Sequence, residues 1–280
     1  MNIDHVTMAA PALEPLREVF ASLGLATEYG GAHSNGATHM DLLGFDDGSY
    51  IELVAKITPN APPAWWERFI VQAGGPCAWA VLAEDVSAEA SRISGLGITV
   101  KGPDHKNRSR PDGMVIEWDS AFIGEGEPGA TLPFIIKDRT PREWRVTPSG
   151  SVAGSELSGV VKVVLGARDP ASAAKLFKVV YNWQTVHVAI DARLGINLLE
   201  FADTPVIIAA PAVPDSPLTQ RLGLFGDSPM AFLIQSVDME ATAQRVPLGE
   251  EVMWFGKTIR WLLHDGALPQ LGIIAGQQPI

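Results

Sequence analysis

Four stretches of the chain repeat one order of signals: a strand rich in β-branched residues, an amphipathic helix, a helix-ending glycine, then short strands. In the first, Ile3-Asp4-His5-Val6-Thr7-Met8 alternates apolar and polar residues as a half-buried strand does. Leu13, Leu16, Val19, Phe20 and Leu23 then fall at three- and four-residue spacings, which predicts a helix over 12–23 with one apolar face, ended by Gly24. Strand signals follow at 38–45 and 49–55, joined by the turn Asp46-Asp47-Gly48. The second stretch gives a strand at 78–82, a helix at 86–96 stopped by Gly97, and strands around 113–118 and 131–137. The third gives a strand at 160–165, a helix at 170–180, and strands at 184–190 and 196–201; the fourth, strands at 230–235, 257–263 and 272–275 with a short helix from Asp238.

The stretches also correspond in pairs, first with third and second with fourth. Phe20 matches Phe177 at the helix ends, and His39 precedes Glu52 by the same thirteen residues that separate His187 from Glu200. Ile116-Glu117-Trp118 is echoed by Ile259-Arg260-Trp261, and Gly129-Ala130-Thr131-Leu132-Pro133 by Gly266-Ala267-Leu268-Pro269. A Ser-, Gly- and Pro-rich linker at 147–158 separates the pairs. The reading is an α+β chain of four modules, each a strand, a helix and a short antiparallel sheet, in two paired halves: 1–145, with modules at about 1–57 and 76–140, and a degenerate second pair at 159–280.

Composition narrows the function classes. Of 280 residues 46% are hydrophobic, enough for a sizeable core. A formal charge of -11 disfavours nucleic acid and anionic membrane surfaces as partners. No apolar run reaches membrane-span length, and the start of the chain lacks a leader pattern. The single cysteine, Cys77, permits no internal disulfide and no multi-cysteine metal site, and reads as a small buried hydrophobe. A cytoplasmic protein, monomeric or homodimeric, with a small-molecule ligand is the expectation. Nucleophile-elbow and phosphate-loop motifs are absent from the sequence.

Several segments carry a family likeness: Ile3-Asp4-His5-Val6, Gly36-Ala37-Thr38-His39, Asp47-Gly48-Ser49-Tyr50-Ile51-Glu52-Leu53, Arg108-Ser109-Arg110-Pro111-Asp112-Gly113 and Leu132-Pro133-Phe134-Ile135-Ile136. Together they resemble a glyoxalase-like domain of the vicinal oxygen chelate superfamily, well over residues 1–145 and as an echo beyond. The resemblance implies tandem βαβββ modules, four in two paired halves, whose strands form half-open mixed β-sheet cups with the chemistry on the concave face, and metal ligands on the first and last strands of each module. In the first module these positions carry His5 and Glu52, suited to zinc, iron, manganese or nickel. In the second they fall on Ala78 and on 135–137, which supply no ligands. His39 is the candidate third ligand, if it points into the cup.

Without a metal, Glu52 reads as a general base with its pKa raised by burial, and His5 as its partner. Arg108 and Arg110, in a loop that the likeness puts near the cup mouth, are candidates for a substrate carboxylate or phosphate. Lys137 either neutralises Glu52 or binds an anion. Tyr50, Trp79, Trp118 and Phe134 are candidate pocket walls, with His39 as a further substrate-binding candidate. In the second half Lys162 and Glu200 stand for His5 and Glu52, and an ammonium beside a carboxylate reads as a former ligand pair turned into an ion pair. Two functions remain open: a glyoxalase-like enzyme with metal-assisted isomerase, lyase or dioxygenase chemistry on a molecule bearing adjacent oxygens, or a metal-free protein that binds and sequesters a small molecule.

Overall fold

The computed structural model describes residues 1–262 and 268–276. Gly266 and Ala267 of the internal echo, and the end of the strand expected at 257–263, lie outside the described residues. The first module runs β1 (Ile3–Ala9), α1 (Leu13–Ser22), β2 (Glu28–Ala32), β3 (Thr38–Gly44) and β4 (Tyr50–Lys56). A short helix, α2 (Glu67–Val71), leads to the second: β5 (Gly75–Leu82), α3 (Val86–Gly95), β6 (Val100–Ser109), β7 (Val115–Ile123) and β8 (Phe134–Asp138), followed by the single turn α4 (Arg142–Arg145). The third is β9 (Leu157–Gly166), α5 (Pro170–Tyr181), β10 (Val186–Asp191), β11 (Ile196–Phe201) and β12 (Val206–Pro211). Helix α6 (Pro217–Phe225) precedes the fourth: β13 (Ser228–Ser236), α7 (Met239–Arg245), β14 (Leu248–Trp254), β15 (Lys257–Leu262) and β16 (Leu271–Ala275).

These elements form two eight-stranded mixed sheets, ordered β2-β3-β4-β1-β5-β8-β7-β6 and β10-β11-β12-β9-β13-β16-β15-β14. Adding eight to every strand number of the first order gives the second, so the duplication is a duplication of topology. Within each sheet the two modules meet along an antiparallel seam, β1 with β5 and β9 with β13. Gly24 and Gly97 end their helices with positive φ, as the sequence predicts, and the Asp85, Asp169 and Asp238 side chains cap α3, α5 and α7.

Each sheet turns one face inward to a core that both share. Val6 and Met8 of β1, Ile51 and Leu53 of β4, and Val163 and Leu165 of β9 enter it with Phe20, Ile93 and Phe177 of the helices. Phe177 lies 5.4 Å from Trp183 and 6.4 Å from both Trp79 and Phe201, an aromatic cluster joining the halves. Strand alternation places His5, Tyr50, Glu52, Phe134 and Ile136 on the opposite, concave face of the first sheet. The concave face of the second is filled by Val164, Met230, Trp254 and Ile259, packed with Leu218 and Leu222 of α6.

The seam also carries the device that builds the site. Ile3 pairs with Val81 and His5 with Ala80, so Asp4 is an extra residue, a β-bulge that breaks strict alternation. The second half repeats it: Val160 pairs with Ile234 and Lys162 with Leu233, leaving Val161 as the extra residue. Lys162 is therefore the counterpart of His5, as expected. Glu200 is not the counterpart of Glu52. It lies on β11 directly opposite His187, whereas β12, with no acid in it, matches β4, so the shared spacing of thirteen does not reflect equivalent strands. Lys162 and Glu200 still form a buried ion pair, with Lys162 Nζ also donating to the Thr204 carbonyl at 2.6 Å.

Gly129 sits where only hydrogen fits: its φ is +72°, and an added Cβ would lie 2.7 Å from the Trp79 carbonyl oxygen. Gly129→Ala should lower unfolding stability by about 2–3 kcal/mol, read from urea denaturation.

Candidate functional site

The concave face of the first sheet encloses a cavity of about 650 Å³, within the range of small-molecule sites. Its floor is polar and its walls are aromatic. Tyr50, Trp65, Trp66, Trp118, Phe122 and Phe134 supply the walls, while His5, His33, Glu52, Arg108 and Arg145 supply the charged and titratable groups of the interior.

The bulge at Asp4 puts Asp4 and His5 together. His5 Nδ1 lies 2.5 Å from Asp4 Oδ1, and its ring stacks on Tyr50 at 4.7 Å. A carboxylate only accepts, so Nδ1 carries the proton, and in the neutral imidazole Nε2 holds the lone pair. Nε2 has no hydrogen-bond partner among the described residues, and His5 lines the cavity.

Asp4 is held in turn by Arg145, whose Nη1 and Nη2 donate to its two oxygens at 3.0 and 2.6 Å, and by Arg142. Arg145 also donates to the Tyr50 hydroxyl at 3.1 Å and approaches Asp138 Oδ1 at 2.6 Å with Nε. Burial pushes the Asp4 carboxyl up, but the Arg145 charge and the His5 and Arg145 hydrogen bonds outweigh it and leave the group below the usual range. Asp138 is raised by burial, which the Arg145 charge offsets only in part.

Glu52 departs from the expectation of a base with a raised pKa. Burial does raise it, but the His33 hydrogen bond and charge, the His5 charge and the Thr7 hydroxyl together hold the carboxyl at about 2. Thr7 Oγ1 donates to Oε2 at 3.1 Å and His33 Nε2 lies 3.3 Å from Oε1. A carboxyl so stabilised as the anion is a weak base. It serves as an anchor for His33, whose Nδ1 sits 2.8 Å from Thr38 Oγ1.

Of the other sequence candidates, the structure brings Tyr50, Trp118 and Arg108 to the cavity with His5 and Glu52. Arg108 is on the edge strand β6, not in a loop, and is buried: it donates to the Gly30 carbonyl and, at 3.1 Å, to the Arg145 carbonyl. Arg110 lies outside, paired with Asp112 at 3.0 Å. His39 is the alternate residue to Thr38 and Met40, which line the cavity, so its ring turns away and meets Tyr29. Trp79 faces the shared core, and Lys137 is exposed, its ammonium on the Glu84 carbonyl and not near Glu52. Sequence reasoning missed Asp4, His33, Arg142 and Arg145. Adjacency to His5 was the one available signal for Asp4, and strand alternation argues against it unless a bulge intervenes.

The metal that the family likeness implies finds a poor donor set. Both Glu52 oxygens and His5 Nδ1 are engaged, the second module contributes Phe134 and Ile136, and among the described residues no three His, Cys, Asp or Glu side chains converge on a common point. The residues present do not fit a resident metal.

The family model for the glyoxalase-like domain matches residues 3–181, more than half of the chain, and the protein belongs to that family. Among solved structures it is similar to a hypothetical protein from Staphylococcus aureus (12% identity, 98% of each chain covered, TM-score 0.60). It is also similar to a mutant of 4-hydroxymandelate synthase from Streptomyces coelicolor (10% identity, 100% of this chain and 93% of that one, TM-score 0.63). A third is a fusion of a xylose isomerase-like TIM barrel with 4-hydroxyphenylpyruvate dioxygenase, at 12% identity over 100% of this chain and 49% of that one, TM-score 0.59. At these identities the likeness is one of fold. No curated protein matches the sequence. Among the described residues no helix is long and apolar enough to cross a membrane.

Two outcomes test the charge arrangement. Arg145→Met removes the two-point partner of buried Asp4, leaving it Arg142 and His5, and should cost about 3 kcal/mol in thermal or chemical unfolding. The Glu52 value in the fold lies below the 4.5 of a free glutamate, so its ionisation stabilises the fold above that pH, and the contribution fades as pH falls toward 2. Between those limits the melting temperature of Glu52→Gln should fall less steeply with pH than that of the wild type.

Proposed function

We propose that the protein is a metal-independent enzyme that moves a proton on a small organic molecule bearing adjacent oxygens, with His5 as the acid-base group. The observation that carries this reading is the Asp4–His5 pair, with Nε2 unpartnered at the floor of an aromatic cavity. Asp4 fixes the tautomer and ring orientation, and its negative charge stabilises the imidazolium that forms when Nε2 takes a proton. Because Asp4 is itself held by Arg145 and Arg142, the ring is positioned before substrate arrives. Stacking on Tyr50 and the edge of Phe134 at 5.2 Å confines it further. Glu52 and His33 form the opposite polar wall, and the aromatic walls exclude water from the reacting atoms.

A second reading, a cytoplasmic binding protein that sequesters its ligand without turnover, is favoured by the apolar wall that the second module gives the cavity. Either form works as a monomer or homodimer.

The discriminating measurement is proton exchange in deuterated water, followed by NMR, over a panel of 2-oxo and 2-hydroxycarbonyl compounds. The enzyme reading expects exchange in chelator-treated protein and its loss by about a hundredfold or more in His5→Gln. Exchange that disappears with chelator and returns with added zinc or manganese would replace this reading with a metal-dependent one; binding without exchange would establish the sequestering protein.

A further inference from the structure

Arg108 is 5% exposed, and no carboxylate lies within ion-pair distance of it among the described residues. Its two hydrogen bonds, to the carbonyls of Gly30 and Arg145, use two of the five guanidinium N–H donors. Of the other buried cations, Arg145 is neutralised by Asp4 and Asp138 and Lys162 by Glu200. Arg221 shares the lack of a carboxylate, but it spends three N–H groups on the carbonyls of Gly74, Pro76 and Pro229 and lines neither cavity that Arg108 borders. Lys106, at the cavity mouth, pairs with Asp104 at 2.9 Å. Burying a charge without a counter-charge is costly, and burial lowers the Arg108 pKa accordingly. A group in this position is stabilised by an anion that arrives from outside.

Arg108 borders two cavities, and their linings decide which one receives the anion. The smaller, about 220 Å³, already holds the carboxylates of Glu28, Asp112 and Glu143 beside Arg110 and Arg145, so its charges are matched without an added anion. The larger has one carboxylate in its lining, Glu52, already held by Thr7 and His33. One unpaired cation matches one negative charge, and a planar fork with free N–H groups matches the two oxygens of a carboxylate. Beyond Arg108 the cavity offers Trp65, Trp118, Phe122 and Phe134, flat apolar faces suited to an aromatic ring.

We infer that the ligand of this cavity is an aryl monocarboxylate, its carboxylate on Arg108 and its ring between the aromatic walls. The inference rests on the cavity being the working site, as proposed above, but not on any turnover: equilibrium binding reads the anchor alone, so a protein that binds such a ligand and exchanges no proton keeps this inference and loses the enzymatic one.

The test is calorimetric titration of 2-naphthoate against its neutral isostere 2-naphthamide. The wild type should prefer the acid by about tenfold or more, the scale of one charge-assisted hydrogen bond. Arg108→Gln should abolish that preference while keeping the weaker amide binding, Arg108→Lys should retain part of it, and Arg110→Gln should leave it intact. The comparison of acid and amide in the wild type stands even if the Arg108 variants fold poorly. No binding of naphthoate, equal binding of acid and amide, or a preference that survives in folded Arg108→Gln would overturn the inference.

Discussion

The buried pairing of Asp4 with Arg145 is the interaction on which the first cup depends. Its partners lie 141 residues apart in the chain and join the first strand of the first module to the turn that closes the second. Through Tyr50 and Asp138 the same guanidinium touches β4 and β8, so one side chain ties together four elements around the cavity floor. Two arginines against two aspartates leave this cluster near neutrality, which is what makes its burial tolerable. It also fixes the imidazole of His5, so the charge cluster that secures the fold orients over the cavity a ring nitrogen with no partner among the described residues.

The second half shows what the same topology does without that cluster. The bulge survives at Val161, but where Asp4 and His5 stand in one half, Val161 and Lys162 stand in the other, and Lys162 is consumed by Glu200. Its concave face is closed by α6, whose Arg221 reaches across to the carbonyls of Gly74 and Pro76 in the first half. Phe225 of the same helix stacks on Phe69 at 4.6 Å, below the first cavity.

The architecture was legible in the sequence because repetition is visible without any knowledge of packing. Three strands of every module could be read from their patterns; the fourth could not. Strands β2, β6 and β14 lie at sheet edges, are largely exposed, and carry Gly, Pro or charged residues that give no alternation. Strand β12 failed for the opposite reason: Val206 to Ala210 are all buried, a continuous apolar run with no period to detect. The site was legible only in part. His5, Glu52 and Arg108 could be proposed from the family likeness and Tyr50 and Trp118 as aromatic walls, whereas His33 comes from a turn and Arg142 and Arg145 from the single helical turn α4, where no periodicity marks a side chain. His39 and Trp79 were misplaced by one step of strand alternation, the smallest error that reverses a face.

The shared core between the sheets gives the degenerate half a purpose that its own filled cup does not. With Phe177 wedged among Trp79, Trp183 and Phe201, the back of the first sheet is braced by the second, and the floor that carries His5 rests on that brace. Duplication has thus divided labour within a single chain: one copy keeps an open chamber lined by costly buried charges, and the other, its own cup filled, is free to be densely apolar and to lend rigidity to its twin.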